Sequence, residues 1–291
     1  MKTRGLGKEL VIVILLLDLG VIVLPILHIV VLALVQGITE FLPISSQAHL
    51  QLIFMFSDWT DQGLMMDVAV HVGTLGAVMV YFWRDLWAMT IGVARLAKRG
   101  RSQETRLAGF LIIGTLPAVA AGYVLSKYFP YGIRGIEIVG WTTLSFGILL
   151  YFSDKIGMTV RKIKHINLFD VIIIGCAQAL AFIPGTSRSG ITMTAARVLG
   201  MERQESARLS MLLSIPVIIG AGSLQGWKLY QSGNISLSND VFIAAGLSFV
   251  AALIVMAGLM AWLKRSTYTP FVIYRVFLGV ILLSISYGWF G

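Results

Sequence analysis

Phe41-Leu42-Pro43-Ile44-Ser45-Ser46-Gln47-Ala48-His49 and Phe182-Ile183-Pro184-Gly185-Thr186-Ser187-Arg188-Ser189-Gly190 are two polar loops in otherwise apolar sequence. A constant register of 141 residues puts proline on proline and paired hydroxyls on paired hydroxyls. Hydroxyls, His49, Arg188 and the nearby Glu40 are costly at membrane depth, where such groups mark working sites. The fold follows from the apolar sequence that surrounds them.

That sequence is 57% hydrophobic and only 13% charged, which excludes an ordinary soluble domain and a disordered chain. The apolar runs are continuous, as from Val241 to Leu263, whereas a transmembrane barrel would alternate. The chain therefore reads as an all-α polytopic membrane protein. Its net charge of +9 would suggest nucleic acid in a soluble protein. Here the basic residues sit in short loops, where they set membrane orientation, and no nucleic-acid partner is expected. The single cysteine, Cys176, cannot form an intrachain disulfide.

A span needs about 20 apolar residues. Spans are expected near 66–83, 108–126, 136–153, 207–225, 241–263 and 271–288. Segments 26–57 and 169–200 are each broken by a proline-containing polar loop and read as re-entrant helix–loop–helix pairs. Loop 84–107 carries Arg84, Arg95, Lys98, Arg99, Arg101 and Arg106, and loop 154–168 carries Lys155, Arg161, Lys162 and Lys164. Both should face the cytoplasm, with 226–240 and the C-terminus outside. Segment 9–25 has a basic start and an apolar core without a small-residue cleavage site, so it reads as an uncleaved signal anchor. The organisation expected is an N-terminal extension (1–25) and two repeats (26–153 and 169–291). Each repeat has one re-entrant pair and three spans. An odd number of crossings inverts the second repeat relative to the first.

The residue before proline avoids helical dihedrals, so the first helix should end before Pro43. Ser45 or Ser46 can then cap the next helix, as can Thr186 or Ser187 in the second loop. Gly185 and Gly190 permit a tight turn or a close approach. Two helix N-termini facing one point, with the planar cation of Arg188, favour phosphate or diphosphate. Glu40 would repel an anion unless it manages a proton or a metal. Gln36 shares its helical face. Ser, His, Glu and Arg around an anion site suit hydrolytic phosphoryl transfer. Plainer roles compete with these. Ser45 also reads as a cap alone, and Glu40 as the structural partner of Arg188. His71 suits packing or support behind the catalytic groups, His28 and His165 an interface, the Trp83, Trp87, Trp227 and Tyr230 group an aromatic belt, and the methionines core filling.

These residues resemble the undecaprenyl-diphosphatase family, membrane phosphatases associated with bacitracin resistance. The first signature is Gln36-Gly37-Ile38-Thr39-Glu40 followed by Pro43-Ile44-Ser45-Ser46-Gln47-Ala48-His49, and the second runs intact from Pro184 to Gly190. The resemblance implies six spans plus two re-entrant pairs in inverted repeats. It implies loss of the terminal phosphate from a polyprenyl diphosphate, recycling the carrier lipid for cell-wall peptidoglycan synthesis. It also implies a multi-pass protein of the inner (cytoplasmic) membrane whose site opens outward. The catalytic roles carry over to Glu40, Ser46, His49 and Arg188. Gln36, Ser45, Gln47, Gly185, Thr186, Ser187 and Ser189 surround the phosphates. A divalent cation, Mg2+ or Ca2+, is implied, with Glu40 and Gln36 as its candidate ligands. Either Ser46 or His49 can be the nucleophile. The chain departs from many members in having Gln47-Ala48 for Thr-Gly and Gln36 for Glu. The competing class is a polyprenyl-phosphate transporter or flippase, to which inverted repeats and a midplane anion site are equally suited.

Overall fold

Continuous apolar runs have no water to satisfy their backbone groups, and they fold here as helices. The structure, a computed structural model, describes residues 26–57, 63–96, 100, 102–128, 135–231 and 239–289. The expected signal anchor at 9–25 lies outside the described residues. The first broken segment supplies α1 (Ile26–Thr39) and α2 (Ser46–Phe56). There follow α3 (Gly63–Tyr81), α4 (Trp83–Ala94), α5 (Gln103–Tyr128) and α6 (Ile136–Ile156). The second broken segment is α7 (Leu168–Ala179), a 3-10 turn (Leu180–Phe182) and α8 (Arg188–Val198). The last three are α9 (Arg203–Gln231), α10 (Asn239–Trp262) and α11 (Thr269–Ser286).

Six of these, α3, α5, α6, α9, α10 and α11, are long and apolar enough to cross a membrane. They match the six expected spans within a few residues at most ends, and the protein is a multi-pass membrane protein. Loop 84–107 differs from expectation, because it contains α4. Its charges hide a helical face: Met89 is buried and Leu86 packs on the core, while Trp83 and Trp87 are exposed beside Arg84. Asp85 in the first turn favours the helix start, and its ion pair with Arg208 ties α4 to α9.

α3 packs on α9 and α10, α6 on α11, and α5 on α7, while α8 is enclosed by α6, α7 and α9. The α5–α7 approach depends on glycine: a Cβ on Gly175 would lie 2.5 Å from the carbonyl oxygen of Gly114. The core includes Met193, Met201, Met211 and Met256, so these methionines do fill space. Ile112, Leu116, Ile254, Ile273 and Phe277 are exposed on outer faces, as they would be in lipid.

A buried ionic cluster fixes the far end of α8. Arg197, fully buried, donates to Asp154 Oδ1 (3.1 Å) and to the Asp154 and Gly157 carbonyls. Arg203 donates to the same Asp154 oxygen (2.6 Å), and the Tyr268 amide donates to Oδ2 (3.2 Å). Every acidic oxygen there is engaged. Removing one partner of such a cluster leaves a buried charge uncompensated, at a cost of about 3–5 kcal/mol.

Candidate active site at the two loop tips

Ser45 and Ser187 are the only non-glycine residues with positive φ among the described residues, at 73° and 70°. Each is a helix cap: Ser45 Oγ accepts from the Ala48 amide (3.4 Å) and Ser187 Oγ from the Gly190 amide (3.1 Å). Strain of this kind costs about 1–3 kcal/mol and persists where the surroundings over-determine it, often at functional sites. The caps correct the sequence register. The prolines are 141 residues apart, but the helix starts are 142 apart, because the second loop has one more residue between proline and cap. Ser46 is therefore level with Arg188, each the first residue of its helix. With capping assigned to Ser45, the hydroxyl of Ser46 is free for other work.

That hydroxyl donates to Glu40 Oε2 at 3.0 Å. Gln36 Nε2 donates to the same oxygen (2.9 Å), and Arg188 Nη2 donates to Oε1 (3.0 Å). Glu40 therefore ties together the starts of both helices. The tips also touch through Ser189 Oγ, which donates to the Leu42 carbonyl (2.7 Å). The amides of Ser46 and Gln47, and of Arg188 and Ser189, precede the first intrahelical bond of their helices. Two positive helix ends thus meet beside one guanidinium and one carboxylate.

Arg275, which the sequence reading passed over, holds the loops from behind. It is fully buried on α11 and donates to the carbonyls of Pro43 (3.3 Å), Gly185 (3.0 Å), Thr186 (3.0 Å) and Thr143 (3.1 Å). An arginine inside a span was the available signal. Gly185 has φ +88°, and a Cβ there would stand 2.2 Å from Thr142 Oγ1. Its close approach is to α6, and with Thr186 it supplies carbonyls to Arg275.

Glu40, Ser45, Ser46, Gln47, Ser187 and Arg188 form the polar floor of a cavity of about 200 Å³. Its walls include Ala118, Phe182, Ile218 and Ala221, and His71 and Gln178 also reach it. His71, expected to pack or to stand behind the catalytic groups, lies at the cavity, with Nδ1 donating to the Asp67 carbonyl (2.7 Å). His49 points elsewhere. Its Nδ1 donates to the Ser45 carbonyl (2.7 Å), which leaves Nε2 to accept from the Tyr274 hydroxyl (2.5 Å), and its ring stacks on Tyr274. The direct partner of Ser46 is thus Glu40 and not His49. A second cleft of about 310 Å³ lies among charged residues near α4, where Arg208 pairs with Asp85 and Glu205.

Among the described residues no three His, Cys, Asp or Glu side chains cluster as a metal site. The end of α1 and the first loop do offer the buried Gln36 Oε1, which has no hydrogen-bond partner, and the Glu40 carboxylate. That small oxygen set fits a cation of the Mg2+ type, which keeps waters and takes other ligands from substrate phosphates.

Over residues 29–281 the chain matches the family model of bacitracin resistance protein BacA. It is 50% identical over 268 residues to a protein of Rhodospirillum rubrum named undecaprenyl-diphosphatase 1, covering 90% of this chain and 95% of that one. It is 46% identical over 263 residues to the undecaprenyl-diphosphatase of Ruegeria pomeroyi, covering 90% and 98%. The Hahella chejuensis undecaprenyl-diphosphatase is 48% identical over 258 residues, covering 88% and 97%. A match of this extent, with the two loop sequences at the floor of one cavity, makes the chain a member of the bacitracin resistance protein BacA family.

Proposed function

We propose that the chain is an undecaprenyl-diphosphate phosphatase, which removes the terminal phosphate of the polyprenyl diphosphate and returns the carrier lipid to peptidoglycan synthesis. The observation that carries this reading is the Ser46–Glu40 hydrogen bond of 3.0 Å, with Arg188 on the other carboxylate oxygen. A hydroxyl paired with a base, beside a cation and two helix N-termini, is suited to phosphoryl transfer. Apolar walls above the polar floor suit a prenyl tail.

Ser46 Oγ attacks the terminal phosphorus while Glu40 Oε2 takes its proton. The Oγ–P bond forms as the anhydride P–O bond breaks, and the bridging oxygen leaves with its electron pair as lipid monophosphate. Arg188 and the free helix amides stabilise charge on the transferred group. Glu40 passes that proton to the departing lipid monophosphate and, ionised again, deprotonates the water that attacks the phosphoserine. The P–Oγ bond breaks, Ser46 Oγ takes the proton back from Glu40, and inorganic phosphate is freed. His49 acts as a positioning residue, locking the Ser45 carbonyl and the first turn of α2. A divalent cation held by Glu40 and Gln36 Oε1 would supply charge neutralisation on the diphosphate.

The two halves are read as inverted repeats with re-entrant pairs. Exchanging halves relates α3–α10 to α9–α5, α5–α7 to α10–α1, and α6–α8 to α11–α2. The packing supports each couple, including Gly37 against Ser248 and Tyr274 against His49. The site opens toward the outer side of the cytoplasmic membrane. In support, the cavity runs along α9 to Gln225, away from the basic cluster at Arg197 and Arg203. Phosphate release from undecaprenyl diphosphate by the purified protein tests the function, and binding without release would overturn it.

A further inference from the structure

Gln178 is 1% exposed, lines the active cavity, and has no hydrogen-bond partner for either its amide nitrogen or its amide oxygen. The helix-start register explains this. Gln178 stands 142 residues after Gln36, in the equivalent place before the second loop. Gln36 has a carboxylate four residues on and donates to it, whereas Gln178 has Phe182 at that place. The amide has no such carboxylate to bond and stays beside the cavity. A buried polar group left unpaired is destabilising, so an orphan amide at a cavity points to a ligand that completes it.

We infer that Gln178 holds the lipid-proximal phosphate, the one that leaves with the prenyl chain. This rests on the phosphatase reading above. The transferred phosphate must lie on the floor beside Ser46, and the leaving oxygen of an in-line displacement lies opposite the attacking one. Away from the two loops, the polar side chains lining the cavity are Gln178, His71 and Gln225, and Gln178 is the one wholly buried. Its Nε2 donates to a non-bridging oxygen of the proximal phosphate. Its Oε1 accepts the P–OH proton that a lipid monophosphate carries when singly protonated. The pair of contacts favours a phosphate monoester as product over an unphosphorylated prenol.

The test measures binding of undecaprenyl monophosphate, and of undecaprenol as control, to the purified full-length protein in detergent. In Gln178→Leu, affinity for the monophosphate falls about tenfold to hundredfold, as expected for losing hydrogen bonds to a charged group. Affinity for undecaprenol is unchanged, and the unfolding temperature is equal to or above wild type, because the variant removes an unpaired buried amide. Wild-type monophosphate affinity, equal weakening of both lipids, or a lowered unfolding temperature overturns the assignment. Should the leucine variant not purify, Gln178→Glu keeps the volume and sets a carboxylate against the phosphate. It too must lose at least tenfold, and wild-type binding by it overturns the inference. Failure of the phosphatase reading shows separately, as no phosphate release by wild-type protein whatever the binding results.

Discussion

Glu40 Oε1 lies 3.0 Å from Arg188 Nη2, joining two loops whose residues are 148 apart in sequence. The same carboxylate receives the Ser46 hydroxyl on its other oxygen. One side chain therefore aligns the Ser46 hydroxyl, the proposed nucleophile on α2, with the cation on α8. The ion pair with Arg188 and the proposed role as base are two uses of a single position.

Glu40→Gln tests that double role. The amide keeps the size but cannot take the serine proton, and it presents an N–H where Arg188 or Ser46 needs an acceptor. Turnover is expected to fall by about 10²–10⁴-fold, the contribution of a positioned base. Gln36→Ala, which removes one donor to Glu40, should reduce activity only in part. Equal losses in the two variants would assign Glu40 a role shared with Gln36, such as holding a cation.

Arg188→Lys keeps a positive charge but loses the planar fork that reaches both Glu40 and the Ser210 carbonyl. The variant should fold, by its unfolding temperature, and lose most of its phosphate release. Near-normal turnover would mean that Arg188 supplies charge alone.

Arg275 and Gly185 should affect stability first. Arg275→Met strips donors from carbonyls of both loops, each left unpaired at about 1–3 kcal/mol, so the protein should melt well below wild type. Gly185→Ala forces a Cβ to 2.2 Å from Thr142 Oγ1 at φ +88° and should also lower the unfolding temperature. Gly220→Ala, with nothing within 4 Å of the added Cβ, serves as the neutral comparison. Thermal melts of the three purified variants in one detergent check the order.

Reporter fusions at Gly100 and Gly291 should report opposite sides of the membrane. The basis is the positive charge of loops 84–107 and 154–168. Reporters on the same side would contradict the inverted arrangement.

The spans were legible because a bilayer demands about 20 apolar residues, and continuous runs such as 241–263 meet that demand. Glu40, Ser46 and Arg188 were legible because polar groups are rare there, and the structure does bring them together. α4 was not, since Arg84 and Asp85 masked a face whose partner lies on α5. Proline alignment gave 141, while the caps show 142. That one residue hid the equivalence of Gln36 with Gln178. His49 stood out by its type, but its contact with Tyr274, 225 residues away, belongs to tertiary structure alone.

The central claim is that Ser46 attacks phosphorus with Glu40 as its base. Ser46→Ala should abolish turnover, whereas a purely capping serine would cost only about 1 kcal/mol of stability, and the cap is Ser45. The most direct measurement is to quench the enzyme during turnover of labelled undecaprenyl diphosphate and map the phosphorylated residue. The account predicts label on Ser46, absent in Ser46→Ala; label on His49, or robust turnover by Ser46→Ala, would contradict it.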